Sequence, residues 1–251
     1  MDFDIAGDSH VGTVRQTNQD CVEWRRGPDG RQALLVVADG MGGHQGGEIA
    51  SQLAVAAVLD SLLPSLSSSV MPGSAEAIRE RLDAAFCQAA ARIQQEQAHD
   101  VRLEKMGTTL VVAWIIDSTA FIAHVGDSRC YLLAAAGPRC LTRDDTVVQN
   151  MIDDGSITED EAPRVPFRNV LTRAVGASND VRPSFRTQEL LPGEGLLLCS
   201  DGLTGALPDS RWANTMRAGT DAEDVVEALI GQSLENGAGD NVSLVLMMLK
   251  N

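Results

Sequence analysis

Two apolar runs in this sequence stop on a carboxylate, and that pattern constrains the fold more than any other feature. Residues 33–38, ALLVVA, lead straight into Asp39-Gly40, and residues 196–199, LLLC, lead through Ser200 into Asp201-Gly202. Each run reads as a strand built for burial, so each carboxylate is expected at the rim of a buried sheet. Asp127 follows an apolar strand in HVGDSR, Asp240 precedes one in GDNVSLVLMML, and Asp20 precedes the strand that starts at Cys21. A lone aspartate in such a place is a turn residue or a cap. Asp29-Gly30, after Pro28, is read that way as a hairpin turn, and Asp154-Gly155 as a helix end. The other five are harder to dismiss, because the ends of strands that share a sheet can converge.

The periodicity along the chain sets the rest of the architecture. Strands at 21–26 and 33–38 flank the turn signal GPDG. A helix over 47–63 follows, with Ile49, Leu53 and Ala57 at helical spacing, and Pro64 with the serines at 65–69 is expected to end it. A second long helix starts at Ser74, an N-cap with Glu76 in the first turn. Residues 107–136 then read as three consecutive strands in an antiparallel meander. The polar segment 142–180 holds at most short helical fragments and is the candidate for a mobile subdomain. A strand at 195–200, helices at 210–217 and 222–234, and a strand at 242–249 close the chain. Helix pairs alternating with adjacent-strand runs predict an α+β fold of antiparallel sheets with helices on the outer faces.

Composition narrows the function classes. A chain of 251 residues, 44% hydrophobic, suffices for a sizeable core. The net charge of −15 argues against nucleic-acid and anionic-membrane partners, and a metal site would absorb some of that charge. The longest unbroken apolar runs, such as LVVAWII at 110–116, are shorter than a membrane span requires, and the opening MDFDIAGDSH does not read as a signal peptide. The five cysteines are dispersed without a CxxC pair, which argues against a disulfide scaffold and a thiolate zinc site and reads as buried small hydrophobes in a reducing compartment. A cytoplasmic protein is expected.

Converged carboxylates in a partly desolvated cleft repel one another until some take protons or a cation joins them. Oxygen ligands with no His or Cys cluster nearby select hard ions, Mg2+ or Mn2+. Two such ions would make a water nucleophilic at neutral pH and clamp an oxyanion. A phosphoryl oxygen then needs a positive fork, and Arg15, five residues before Asp20, is placed to supply it. An acidic calcium module is the bland rival, but it would cluster its aspartates within about a dozen residues.

The ordered set SHVGTVRQTNQD, VVADGMGGHQGGEIAS, GTTLV, HVGDSRCYLL, LTRDDTVVQNMIDDGSIT, RNVLTRAVG, LLLCSDGL and GDNVSLVLM resembles the metal-dependent PP2C-type (PPM) serine/threonine phosphatases in their bacterial form. The resemblance implies an αββα sandwich: two stacked antiparallel β-sheets flanked by antiparallel helix pairs. It implies a single domain over 1–251 with a flap insert at about 142–180. It implies hydrolysis of phosphoserine and phosphothreonine by direct attack of a metal-bridging water, with two Mn2+ or Mg2+ ions in the core site. Asp39 would bridge the ions, with the Gly40 carbonyl on one of them, and Asp201 and Asp240 would complete the other's shell. Asp20 would hold metal-bound water, and Asp127 with Asp201 would bind a third, weaker ion. Arg15 would grip the substrate phosphate. His44 is the candidate general acid, because a side chain with a pKa near ~6.5 suits leaving-group protonation; the competing reading is a loop histidine beside the cleft. His99 and His124 read as structural. The family usually has Asp where His10 stands, and histidines are common where Asp145 and Val165 stand. The implied partners are phosphorylated proteins, a cognate eukaryotic-like Ser/Thr kinase among them, and the implied state is a monomer. The alternative is a non-catalytic phosphoprotein-binding member of the same fold.

Overall fold

A computed structural model describes residues 3–43, 46–67, 73–177, 181–219 and 221–250. Eleven strands among them form two antiparallel sheets. The first holds β1 (Phe3–His10), β11 (Val242–Leu249), β10 (Gly195–Cys199), β7 (Arg129–Ala134) and β8 (Gly137–Cys140), in that order. The second holds β2 (Asp20–Arg26), β3 (Gln32–Met41), β5 (Leu110–Ile116), β6 (Thr119–Val125) and β9 (Ser184–Glu189), with β4 (Gly107–Thr108) paired to the end of β3. The helices are α1 (Gly46–Leu66), α2 (Ala75–His99), α3 (Val147–Asp153), α4 (Asp201–Ala206), α5 (Trp212–Ala218) and α6 (Ala222–Glu235).

The central strands are apolar throughout because both of their faces are covered. In β3, Ala33, Leu35 and Val37 pack between the two sheets, while Leu34, Val36 and Ala38 pack under α1 and α2. In β10, Leu196 and Leu198 face the other sheet, and Leu197 and Cys199 face the α4–α6 side with Trp212 and Leu229. The order is therefore helix, sheet, sheet, helix. Ser74 caps α2 by accepting from Ala77 N at 3.4 Å, as its position predicts.

Three expectations need correction. The run 107–136 is not one meander: β5 pairs with β6, but β7 joins the other sheet. The turn Gly126–Asp127–Ser128 carries the chain across between the sheets, and β6 takes the polar β9 as its second partner. Pro64 does not end α1, which runs on to Leu66. Leu62 and Leu66 are both buried, and Pro64 sits exposed in the last turn, four residues after the exposed Asp60, where the i−4 hydrogen bond a proline cannot donate is cheapest to lose. The cysteines are not all buried: Cys87 and Cys140 are exposed, Cys21 is half-buried, and Cys130 and Cys199 are in the core. Helix α1 is long and apolar enough to cross a membrane by length and composition, but Ala50, Ala54, Val58 and Leu62 along it pack onto the second sheet and α2.

Candidate metal centre

The five aspartates come from five separate places in the chain. Asp20 is the first residue of β2 and lies directly opposite Asp39 of β3 in the strand register. Asp127 sits in the turn that crosses between the sheets, Asp201 opens α4 immediately after β10, and Asp240 stands in the loop before β11. Asp39, Asp127, Asp201 and Asp240 line one cleft of about 800 Å3, together with Arg15, Gly40, Thr109 and Asn241.

The backbone around Asp39 is fixed on both sides. Its N–H donates to Thr109 Oγ1 at 3.0 Å, and its carbonyl accepts from Thr109 N at 2.8 Å and Thr108 Oγ1 at 2.9 Å. Gly40 follows because nothing larger fits: a Cβ there would lie 2.0 Å from the Gly47 carbonyl oxygen at the start of α1. The bare backbone of Gly40 faces the cleft as a result.

Asp20 lies behind the cleft. Its Oδ2 accepts from Ser200 Oγ at 2.8 Å, and its Oδ1 is buried with no hydrogen-bond partner. A buried, partnerless carboxylate oxygen is costly. Burial, helped by the charges of Asp201 and Asp240, pushes the Asp20 carboxyl up to about 6. Burial and then Asp201 push Asp127 up to about 7. Asp39 is held well above the ordinary carboxylate range by burial and by the surrounding aspartates. Burial and Asp240 also raise Asp201, against a hydrogen bond with Asp39 that opposes the rise. The cluster thus holds on to protons above the ordinary carboxylate range unless a cation takes their place.

Among the described residues that line the cleft, the cationic side chain is Arg15, whose Nη2 donates to Asp240 Oδ2 at 2.8 Å. The bond to Asp240 raises the guanidinium pKa, and the charges of Asp39 and Asp201 add to it. Arg15 rides on the loop between β1 and β2, which Asn241 holds. Asn241 Oδ1 accepts from Gln19 N at 2.8 Å, and its Nδ2 donates to Val11 O at 2.9 Å and Thr17 O at 3.0 Å. Sequence reasoning assigned no role to Asn241, Thr109 or Ser200. Asn241 follows Asp240 in the quoted GDNVSLVLM, but its work lies in contacts more than two hundred residues away along the chain.

His44 lies outside the described residues. His10 accepts from Gly12 N through Nδ1 at 3.0 Å, His124 is buried with Nε2 2.8 Å from Arg143 O, and His99 contacts Gln95 O in its own helix. All three serve the local backbone.

Among the described residues, no three His, Cys, Asp or Glu side chains already close on one point as a finished metal shell. Four of the carboxylates instead line one shared cleft. The orphan Asp20 oxygen, the raised pKa values and an all-oxygen donor set fit hard divalent cations.

The sequence profile described as Protein phosphatase 2C matches residues 6–236. The chain is 36% identical to the serine/threonine protein phosphatase PstP of Mycobacterium tuberculosis over 241 residues, covering 96% of this chain and 44% of PstP. It therefore spans less than half the length of that relative. It is 32% identical to the protein phosphatase PhpP of Streptococcus pneumoniae, over 95% of this chain and 94% of PhpP. The crystal structure of the catalytic domain of PstP in complex with two manganese ions superposes with a TM-score of 0.84 at 33% identity, covering 99% of each chain.

Proposed function

The chain belongs to the protein phosphatase 2C family, and from that premise we propose that it is a metal-dependent phosphoprotein phosphatase acting on phosphoserine and phosphothreonine. One observation carries the reading: carboxylates from four separate segments face one cleft with Arg15, and a fifth, Asp20, stands behind them with an unsatisfied oxygen.

Asp39, the Gly40 carbonyl, Asp201 and Asp240 would hold two Mn2+ or Mg2+ ions, with Asp20 behind them and Asp127 with Asp201 serving a third. Bound there, the ions supply an acidified water as nucleophile and neutralise charge on the phosphoryl group. The residues themselves set the conditions. The carboxylate cluster repels a phosphate dianion unless cations offset it, so Arg15 alone does not admit substrate. Arg15 turns from Asp240 to the phosphate, and its planar fork orients two phosphoryl oxygens. Its exposed position, at the mouth of the cleft, suits a group that meets substrate first. The non-catalytic alternative is disfavoured by Asp39, Asp201 and Asp240 all lining the cleft.

On this reading residues 1–251 form one domain with 142–180 as a flap, and Asn169 and Leu171 of that segment line the cleft. The substrates are phosphoproteins, including a eukaryotic-like Ser/Thr kinase whose phosphorylation the enzyme reverses in bacterial signalling. The dispersed cysteines, with no CxxC pair in the sequence, suit the reducing cytoplasm, and a monomer completes the cleft without a partner.

The test is hydrolysis of a chromogenic phosphate ester and of a phosphothreonine peptide, with Mn2+, with chelator, and for Asp39→Asn. Turnover is expected only for the wild-type chain with Mn2+. Arg15→Ala should cost roughly tenfold to a hundredfold in kcat/KM, the equivalent of about 1.5–3 kcal/mol for charged hydrogen bonds. Arg15→Lys should recover only part of it. Metal-independent turnover or an unimpaired Asp39→Asn enzyme rejects the reading.

A further inference from the structure

The polar segment after β8 is tied to the cleft through one buried carboxylate. Asp145 is only 5% exposed, and both of its carboxylate oxygens are used. Oδ2 accepts from Gly126 N at 3.0 Å, and Oδ1 accepts from Arg173 Nη1 at 3.2 Å. Its backbone is committed as well: the N–H donates to Gly126 O at 3.0 Å and the carbonyl accepts from Thr172 N at 2.8 Å. One residue thus grips the turn immediately before Asp127 and the stretch that closes the base of the 142–180 segment. A bridge between Thr146 and Leu171 continues the same seam. On its other side Gly126 lies against Thr109, which bonds Ser128 Oγ at 2.7 Å and both backbone groups of Asp39.

We propose that Asp145 is a positioning residue for the phosphatase reaction: it fixes the turn that presents Asp127 to the cleft, and it joins that turn to the segment whose Asn169 and Leu171 form a wall of the same cleft. A carboxylate is needed because the two groups it serves are both donors. An amide of the same shape offers one acceptor and one NH2, so either Gly126 N–H or the Arg173 guanidinium would face a donor.

The inference rests on the function proposed above, and its test separates the two. Asp145→Asn, Asp127→Asn and the double variant of the full chain would be assayed on p-nitrophenyl phosphate at saturating Mn2+. Amide hydrogen exchange would be followed on the metal-free proteins. Asp145→Asn should lower kcat roughly tenfold with KM within about twofold, and should add nothing in the Asp127→Asn background. Residues 126–128 should exchange faster in metal-free Asp145→Asn while its melting temperature stays within a few degrees of wild type. Losses that multiply in the double variant, a wild-type kcat, or unchanged exchange at 126–128 would overturn the proposal. If Asp145→Asn does not fold, Asp145→Glu, which keeps both acceptors on a longer arm, carries the same comparisons. A wild-type chain inactive with Mn2+ would count against the phosphatase reading, and hydrogen exchange would then decide the role of Asp145 alone.

Discussion

Asp20 and Asp39 face each other directly across the β2–β3 pair, and the buried Oδ1 of Asp20 has no hydrogen-bond partner. Like charges at directly opposed strand positions destabilise a sheet, and burial removes the water that would screen them. The β2–β3 register brings both carboxylates to one end of the sheet, where a cation would offset their repulsion. Its stability is therefore linked to whatever cation enters.

Mn2+ should raise the melting temperature of the metal-free protein. At a free concentration of about a hundred times Kd, binding to the native state alone adds about 2.7 kcal/mol. For a chain of this size that corresponds to a rise of about 5–11 °C. Asp39→Asn should lose most of the rise, because the carboxylate whose charge interacts with that of every other aspartate in the cluster would be replaced by a neutral amide. Differential scanning calorimetry with and without Mn2+ checks this, and an Asp39→Asn variant with the full rise would refute the placement of the cation.

The metal-free protein should also lose stability as pH rises. Asp20 and Asp127 are raised to about 6 and about 7, and Asp39 and Asp201 are raised too. Unfolded aspartates titrate near ~3.9, so between pH 4 and 7 the native state holds more protons than the unfolded one. Its contribution to stability is full below the unfolded value and is lost as pH rises through the folded values. The metal-free melting temperature should fall from pH 5 to pH 8, and Asp127→Asn should flatten the upper part of that fall. The rise produced by Mn2+ should grow over the same interval, because cation and protons compete for the same oxygens. A metal-free melting temperature that climbs steadily from pH 5 to pH 8 would contradict the burial of these groups.

What the sequence made legible follows from how local each signal is. The apolar runs of β3 and β10 and the aspartates that end them are contiguous, so their placement at a sheet rim could be read directly. The α2 cap at Ser74 is equally local. The crossing at Gly126–Ser128 was not legible, because HVGDSR has the look of a hairpin and only pairing to β10 and β9 shows otherwise. Strand β9, SFRTQE, carries polar side chains because it lies at an edge and is partly exposed, so no apolar alternation marks it. Within the site, carboxylates announce themselves by charge, but the amide of Asn241 and the hydroxyls of Thr109 and Ser200 act through distant backbone and carboxylate groups. Residue type alone does not reveal such roles.

Two glycines of α4 offer a test of how tightly the site is built. A Cβ on Gly202 would lie 1.9 Å from the Asn241 carbonyl oxygen, whereas one on Gly205 would meet nothing within 4 Å. Gly202 therefore lets the start of α4, with Asp201, press against the backbone that carries Asp240 and Asn241. Gly202→Ala must push these two segments apart and should cost about 1–3 kcal/mol of stability. Because the displaced residues are Asp201 and Asp240 themselves, kcat/KM should fall by roughly a hundredfold, the order expected for a misplacement of about 1 Å. Gly205→Ala is exposed and helical, and by restricting the unfolded chain it should stabilise by about 0.4–1 kcal/mol with activity unchanged. Thermal melts and Mn2+-dependent kinetics on the two variants check the contrast. Equal behaviour of the two would mean that the contact between α4 and the 240–241 backbone does not set the geometry of the carboxylates.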